Sequence, residues 1–213
     1  MLRVGLTGGV ACGKTTVGQM FAARGAHLVL ADQVAHQLMA PGQPLYEEVL
    51  KRFGPEILKP DGSINRAHLA DVAFGSGRIQ ELNQIVHPAV MRHQEKAMAD
   101  LAGRDPGGIA IVEAALILEA GAGNRFDKLI VVTCTPEQRI QRFAERLNME
   151  RAAAERDVAR RMAAQWPDQA KVKAADYVID NSGSIADLEA QVDAVMSELG
   201  RMAEEKHSTH PGR

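Results

Sequence analysis

The stretch "GLTGGVACGKTTVGQMF", Gly5–Phe21, decides the fold. An apolar run from Leu2 to Thr7 leads into a glycine-rich turn, and a helix-forming run from Lys14 to Arg24 follows it. Gly8, Gly13, Lys14 and Thr15 satisfy Gly-x-x-x-x-Gly-Lys-[Ser/Thr], the spacing of a phosphate cradle. Glycine permits positive φ and close approach of backbone to an anion. Successive N–H groups and the positive end of the helix converge on a phosphate, Lys14 reaches the β- and γ-phosphates, and the Thr15 hydroxyl is placed for Mg²⁺. Chance alone produces this spacing in on the order of one chain in a hundred of this length; here it also lies between a strand and a helix. Two letters stand out. Ala11 needs a backbone compatible with a Cβ, or it carries strain. Cys12, at a helix N-terminus beside Lys14, is expected to have a lowered thiol pKa and to be reactive unless ATP covers it.

Working outward, further strands alternate with helices. His27–Asp32 reads as a second strand ending in an acid, and Gly108–Glu119 opens with a strand reaching Glu113. Lys128–Cys134 is a fourth, followed by a helix with Pro136 in its first turn. "ADYVIDNSGS" holds the last, with Ser184 positioned to cap the helix after it. Apolar strands alternating with helices imply a parallel sheet covered on both faces. Two stretches break the rhythm. Residues 40–103 hold helical patterns punctuated by "PGQP", "FGPEILKPDGS" and "HP", and read as a helical insertion. Residues 138–165 are helix formers crowded with arginine. The end of the chain, from about 203 to 213, lacks apolar periodicity and is expected to be disordered.

A chain of 213 residues with 46% hydrophobic and 24% charged content is expected to form one ordinary soluble unit. Its net charge of −2 argues against a non-specific nucleic-acid binder. No apolar run reaches the ~20 residues of a membrane span, and the first residues do not read as an export signal. Two cysteines, Cys12 and Cys134, are too few for a disulfide framework or a zinc site, and both fit a reducing cytoplasm as small, partly buried residues.

A phosphate cradle alone does not distinguish a kinase from a GTPase or a motor. Asn-Lys-x-Asp does not occur, since "DNSG" (Asp180–Gly183) lacks the lysine, and no apolar strand ends in Asp-Glu. What is left is the arrangement of a small-molecule kinase: an acid after the second strand, an insertion to hold the acceptor, and an arginine-rich lid. Asp32 is placed to take the proton of an attacking hydroxyl; it equally suits a cap for the helix that follows. Arg142 and Arg146, four apart, share a helix face and suit phosphoryl oxygens, or else a solvated face paired with Glu145 and Glu150.

In these motifs, taken in order from Leu2 to about Leu199, the sequence resembles the dephospho-coenzyme A kinase family. Gly5–Thr15 matches the family's opening Gly-Leu-Thr-Gly-Gly-x-x-x-Gly-Lys-[Ser/Thr]. Leu30–His36 resembles its Asp-Ala-Asp-x-x-Ala-Arg, with Asp32 kept. "FGPEILKPDGSINRAHLADVAF", "LNQIVHP" and Glu113–Glu119 resemble its acceptor segments. Arg142, Arg146 and "RRMAAQ" follow its lid pattern, and "ADYVIDNSGS" its last strand. Leu30, His36 and Ala115 depart from the family's acid, arginine and proline.

The resemblance implies a three-layer P-loop fold of the α/β class with a five-stranded parallel sheet. Its core is residues 1–39, 104–137 and 174–202, the insertion 40–103 and the lid 138–173. It implies ATP-dependent phosphorylation of the ribose 3′-hydroxyl of dephospho-coenzyme A in the cytoplasm, by a monomer or weak homo-oligomer. ATP is implied to meet Gly8, Gly9, Ala11, Cys12, Gly13, Lys14, Thr15, Thr16, Arg142, Arg146 and Asn181. The acceptor is implied to meet Thr7, Asp32, His87, Glu113 and Leu116. Lys14, Asp32 and Arg142 are the implied catalytic residues, with Mg²⁺ on Thr15. His87 by itself also suits a structural role beside a turn, and Asn181 suits fixing the last loop. A kinase for another small metabolite and a non-catalytic nucleotide binder are the alternatives.

Overall fold

The structure, a computed structural model, describes residues 1–75 and 77–209. The chain divides into two compact units, the first formed by Met1–Val29 with Leu101–Arg213 and the second by Leu30–Asp100.

The first unit is built on strands β1 (Leu2–Gly8), β2 (His27–Leu30), β3 (Ile109–Glu113), β4 (Lys128–Thr133) and β5 (Tyr177–Asp180). They form one five-stranded parallel sheet in the order β2-β3-β1-β4-β5. Leu6 pairs with Glu113 on one side of β1 and with Ile130 on the other. Because β1 lies between β3 and β4, the loop leaving its carboxyl end enters the crevice where such sheets bind ligands. Alternate side chains of β1 (Leu2, Val4, Leu6) join Ile111, Ile130 and Ile179 in one core. Helix α1 (Lys14–Ala23) adds Val17 and Phe21 to it.

The second unit is helical: α2 (Ala31–Leu38), α3 (Pro44–Phe53), α4 (Arg66–Gly75) and α5 (Ile79–Arg104), whose last turn belongs to the first unit. Leu45, Val49 and Phe53 recur at helical spacing on α3 and bury against Ile57, Leu69 and Ala73. The Arg78 guanidinium lies over the Phe53 ring at 4.5 Å. "HP" does not interrupt the helix: Pro88 lies inside α5. A proline there removes one backbone bond and crowds the preceding turn, but long helix-forming runs on both sides carry the helix through.

The arginine-rich segment forms α6 (Pro136–Leu147), α7 (Arg151–Ala163) and α8 (Asp168–Ala174). A capping box between Thr135 and Gln138 starts α6, with Pro136 in its first turn. Ser184 caps α9 (Ile185–Thr209): its hydroxyl oxygen accepts from the Asp187 N–H at 3.2 Å. The expectation of a disordered end is corrected here, since α9 runs to Thr209. Its buried stripe of Leu188, Val192, Val195 and Leu199 extends to Ala203, and Lys206 then reaches Asp127 at 2.6 Å. Residues 210–213 lie outside the described residues. Among the described residues no helix is long and apolar enough to cross a membrane.

Asp176 fastens β5 to β4, accepting from Lys128 Nζ at 2.9 Å and from the Leu129 N–H at 2.8 Å. Partial burial raises its pKa, but these two donors outweigh burial and leave it below its ordinary value. A carboxyl lowered in the folded state stabilises above its unfolded pKa, about 3.9, and that stability is lost as pH falls through the folded value. Asp176→Asn should therefore lower the urea midpoint at pH 7. The deficit relative to wild type should shrink as unfolding is repeated below about pH 4; a deficit independent of pH would show that the charge is not what matters.

Candidate active site

The cradle follows β1. Gly8, Gly9 and Val10 are buried, Ala11, Gly13 and Lys14 are half-buried, and Thr15 and Thr16 are exposed at the start of α1. Gly13 has φ +92°, and a methyl there would lie 2.1 Å from Asn181 Nδ2, so only glycine fits. Asn181, 7% exposed, donates from Nδ2 to the Cys12 carbonyl at 2.9 Å. The last loop thus braces the cradle from behind.

Lys14 turns back onto its own loop, with Nζ 3.1 Å from the Gly8 carbonyl oxygen and 2.9 Å from that of Gly9. The Thr15 hydroxyl donates to Glu113 Oε1 at 2.9 Å. Glu113, expected among the acceptor contacts, therefore stands beside the Thr15 hydroxyl, at the end of the strand next to β1. An alcohol and a buried carboxylate are hard oxygen donors, and Mg²⁺ is held in such sites by one or two carboxylates together with substrate phosphates. The pair fits the ion. No cluster of three acidic, histidine or cysteine ligands occurs among the described residues.

Thr7, also expected on the acceptor side, is fully buried, and its hydroxyl donates to the Ala115 carbonyl at 3.3 Å. It shapes the turn after β3, where Leu116 is half-buried. Beyond Leu116, Glu119 pairs with the fully buried Lys171 at 2.9 Å and accepts from the Trp166 N–H at 2.8 Å. That pair ties the turn to α8.

The two lid arginines differ. Arg142 donates from Nη2 to the Asn181 carbonyl at 3.0 Å, and its buried Nη1 has no hydrogen-bond partner among the described residues. An unsatisfied buried donor costs roughly 1–3 kcal/mol, and an anion would satisfy it. Arg146 is exposed and lies over the Phe143 ring at 5.4 Å. The structure joins Arg142 to the cradle through Asn181 and does not join Arg146 to it. Arg139, one of the arginines that crowd residues 138–165, is 1% exposed and bonds Asp168 at 2.7 Å. Its spacing of four from the buried Phe143 was the available signal.

In the second unit, Asp32 neither ends the strand nor caps the helix. β2 stops at Leu30, which is the N-cap, and Asp32 is the second residue of α2, exposed in its first turn. The apolar run "HLVL" carries no mark separating strand end from helix start. His87 is half-buried on α5, and burial pushes its imidazole below the usual value, so it is neutral at pH 7.

Cys12 is corrected as well. It is fully buried in the same core as Val17 and Phe21, and burial raises its thiol pKa against the lowering influence of Lys14. A neutral, enclosed thiol is a core residue, not a nucleophile. Ala11, by contrast, carries the strain its letter suggested. Its φ is +55°, in the left-handed region, which costs an L-residue roughly 1–2 kcal/mol. Ala11→Gly should raise unfolding stability by about 0.5–1 kcal/mol, the relief less the extra chain entropy of glycine. Urea unfolding measures this, and a loss of stability would contradict the strain.

A family model for dephospho-CoA kinase matches residues 2–187. A dephospho-CoA kinase from Corynebacterium glutamicum is 40% identical over 201 residues, 93% of this chain and 98% of that one. One from Aquifex aeolicus is 42% identical over 202 residues, 94% and 99% of the two chains. The crystal structure of TT1252 from Thermus thermophilus superposes with a TM-score of 0.75 at 30% identity, covering 93% of this chain and 97% of that one. Dephospho-CoA kinase from Campylobacter jejuni shares the fold, with a TM-score of 0.65 at 24% identity over 93% and 97% of the chains. With its cradle, its last-loop brace and a match over nearly its whole length, the chain belongs to the dephospho-CoA kinase family.

Proposed function

We propose that this chain transfers the γ-phosphoryl group of ATP to the ribose 3′-hydroxyl of dephospho-coenzyme A, giving coenzyme A and ADP. The observation that carries the reading is the grouping of Lys14 and Thr15, at the start of α1, with Glu113, at the end of β3, in a member of this family. The unpaired cysteines suit a reducing cytoplasm.

In this reading the cradle N–H groups bind the β-phosphate, and Lys14 leaves the Gly8 and Gly9 carbonyls to meet the β- and γ-phosphates. Thr15 and Glu113 would hold Mg²⁺, which when bound neutralises phosphate charge. Arg142, with one nitrogen fixed by Asn181, turns its second nitrogen to the nucleotide. Its guanidinium offsets charge that develops during transfer. Asp32 accepts the proton of the 3′-hydroxyl; its support is the match of Leu30–His36 to the family segment and its exposed carboxylate. His87 and the turn around Leu116 are proposed to contact the acceptor.

Purified protein with ATP and Mg²⁺ should release ADP rapidly only when dephospho-coenzyme A is added, and not with nucleoside monophosphates or other small alcohols. Asp32→Asn should lower kcat by about 10²–10⁴-fold, the range for loss of general-base catalysis, with ATP affinity nearly unchanged. Turnover with a different acceptor would favour another metabolite kinase, and turnover with none would favour a nucleotide-binding regulator.

A further inference from the structure

Gly9 is the one cradle position whose glycine is not explained by backbone conformation. It is absent from the positive-φ residues, so alanine would suit its backbone. The three atoms nearest to an added side chain all belong to one residue. A methyl built on Gly9 would lie 2.2 Å from Arg139 Nη1, 2.8 Å from Cζ and 3.0 Å from Nη2.

A long side chain can usually swing away from such a contact, but this one is held. Its side chain is 1% exposed, Nη2 is bonded to Asp168 at 2.7 Å and Nη1 lies 3.2 Å from Met162 Sδ. Arg139 comes from α6, Met162 from α7 and Asp168 from α8. All three helices of the arginine-rich segment therefore meet the cradle at one buried guanidinium. The Gly9 carbonyl and that of Gly8 receive the Lys14 ammonium.

We infer that Arg139 is a positioning residue of the donor site, oriented by Asp168, and that it fixes the Gly8–Gly9 backbone on which Lys14 rests. A planar guanidinium held at two of its nitrogens is a rigid stop, which a lysine could not reproduce. Through it the lid helices and the phosphate cradle share one contact, so loosening Arg139 weakens nucleotide binding without touching the reacting atoms. This rests on the reading of Gly8–Thr15 as the ATP phosphate cradle.

The test is a set of mutant cycles read by ATP KM, kcat and ADP affinity. Gly9→Ala should raise the ATP KM about tenfold or more in the wild-type background, with a smaller change in kcat. Combined with Arg139→Ala, the added penalty of Gly9→Ala should fall to about twofold or less, because the methyl then has room. Asp168→Asn, which keeps Arg139 but releases it, should by itself raise the ATP KM and should also shrink the Gly9→Ala penalty. It serves where Arg139→Ala does not fold. Equal Gly9→Ala penalties in all backgrounds, or an unchanged KM in Asp168→Asn, would overturn the inference. Lys14→Met separates the two levels. If it binds ADP normally, the donor-site reading itself fails; if it loses ADP while the cycles stay additive, only the role of Arg139 fails.

Discussion

A phosphate cradle must present its N–H groups inward, yet it is a turn with no ladder of its own to hold it. Here a buried hydrogen bond from Asn181 Nδ2 to the Cys12 carbonyl ties that turn to the rest of the fold. It joins the loop after β1 to the loop after β5, across the intervening strand β4. Gly13 has no side chain because Asn181 occupies that space, and the Asn181 carbonyl in turn receives Arg142. Cys12, with its carbonyl held above, drops its thiol into the core. The proposed anion site is thus tied to the hydrophobic core through Cys12. A site held in this way would avoid the ordering cost that a flexible loop brings to binding.

The same economy of structure appears around α8. Asp168 on its first turn holds Arg139 beneath the cradle, and Lys171, three residues later, holds Glu119 at the end of the turn after β3. Two buried cations and their acids therefore bind a seven-residue helix to α6 and to the turn after β3. Buried ion pairs add little net stability over apolar residues of similar size, and their worth lies in fixing geometry. That is what a site depending on positioned oxygens and nitrogens requires.

Much of this was legible in the letters. Four residues at fixed spacing between a strand and a helix named the cradle, and the rhythm of apolar runs named the sheet. What escaped did so for physical reasons. "HLVLAD" reads as strand to its end because Leu30 and Ala31 suit strand and helix alike, whereas the strand stops at Leu30, two residues before Asp32. Cys12 stands at a helix N-terminus, where electrostatics alone would activate it, but only the fold reveals that its side chain points inward. Glu113 was visible as a strand-end acid, and its partner Thr15 is a neighbour only through the pairing of β1 with β3. Arg139 was hidden by its own chemistry. An arginine on the buried face of a helix contradicts the pattern by which inward faces are recognised, and nothing in the sequence marks Asp168 as the acid that makes it possible.

The most direct measurement is nucleotide affinity in Asn181→Ala, with the fold checked by circular dichroism and thermal unfolding. The substitution removes the brace behind the cradle and leaves every cradle residue in place. If the site is preformed by this bond, ADP affinity should fall by about tenfold or more, the equivalent of losing a buried hydrogen bond with its geometry, while the protein stays folded. Affinity within twofold of wild type in a folded variant would contradict it, and would mean that the cradle takes its shape from the ligand.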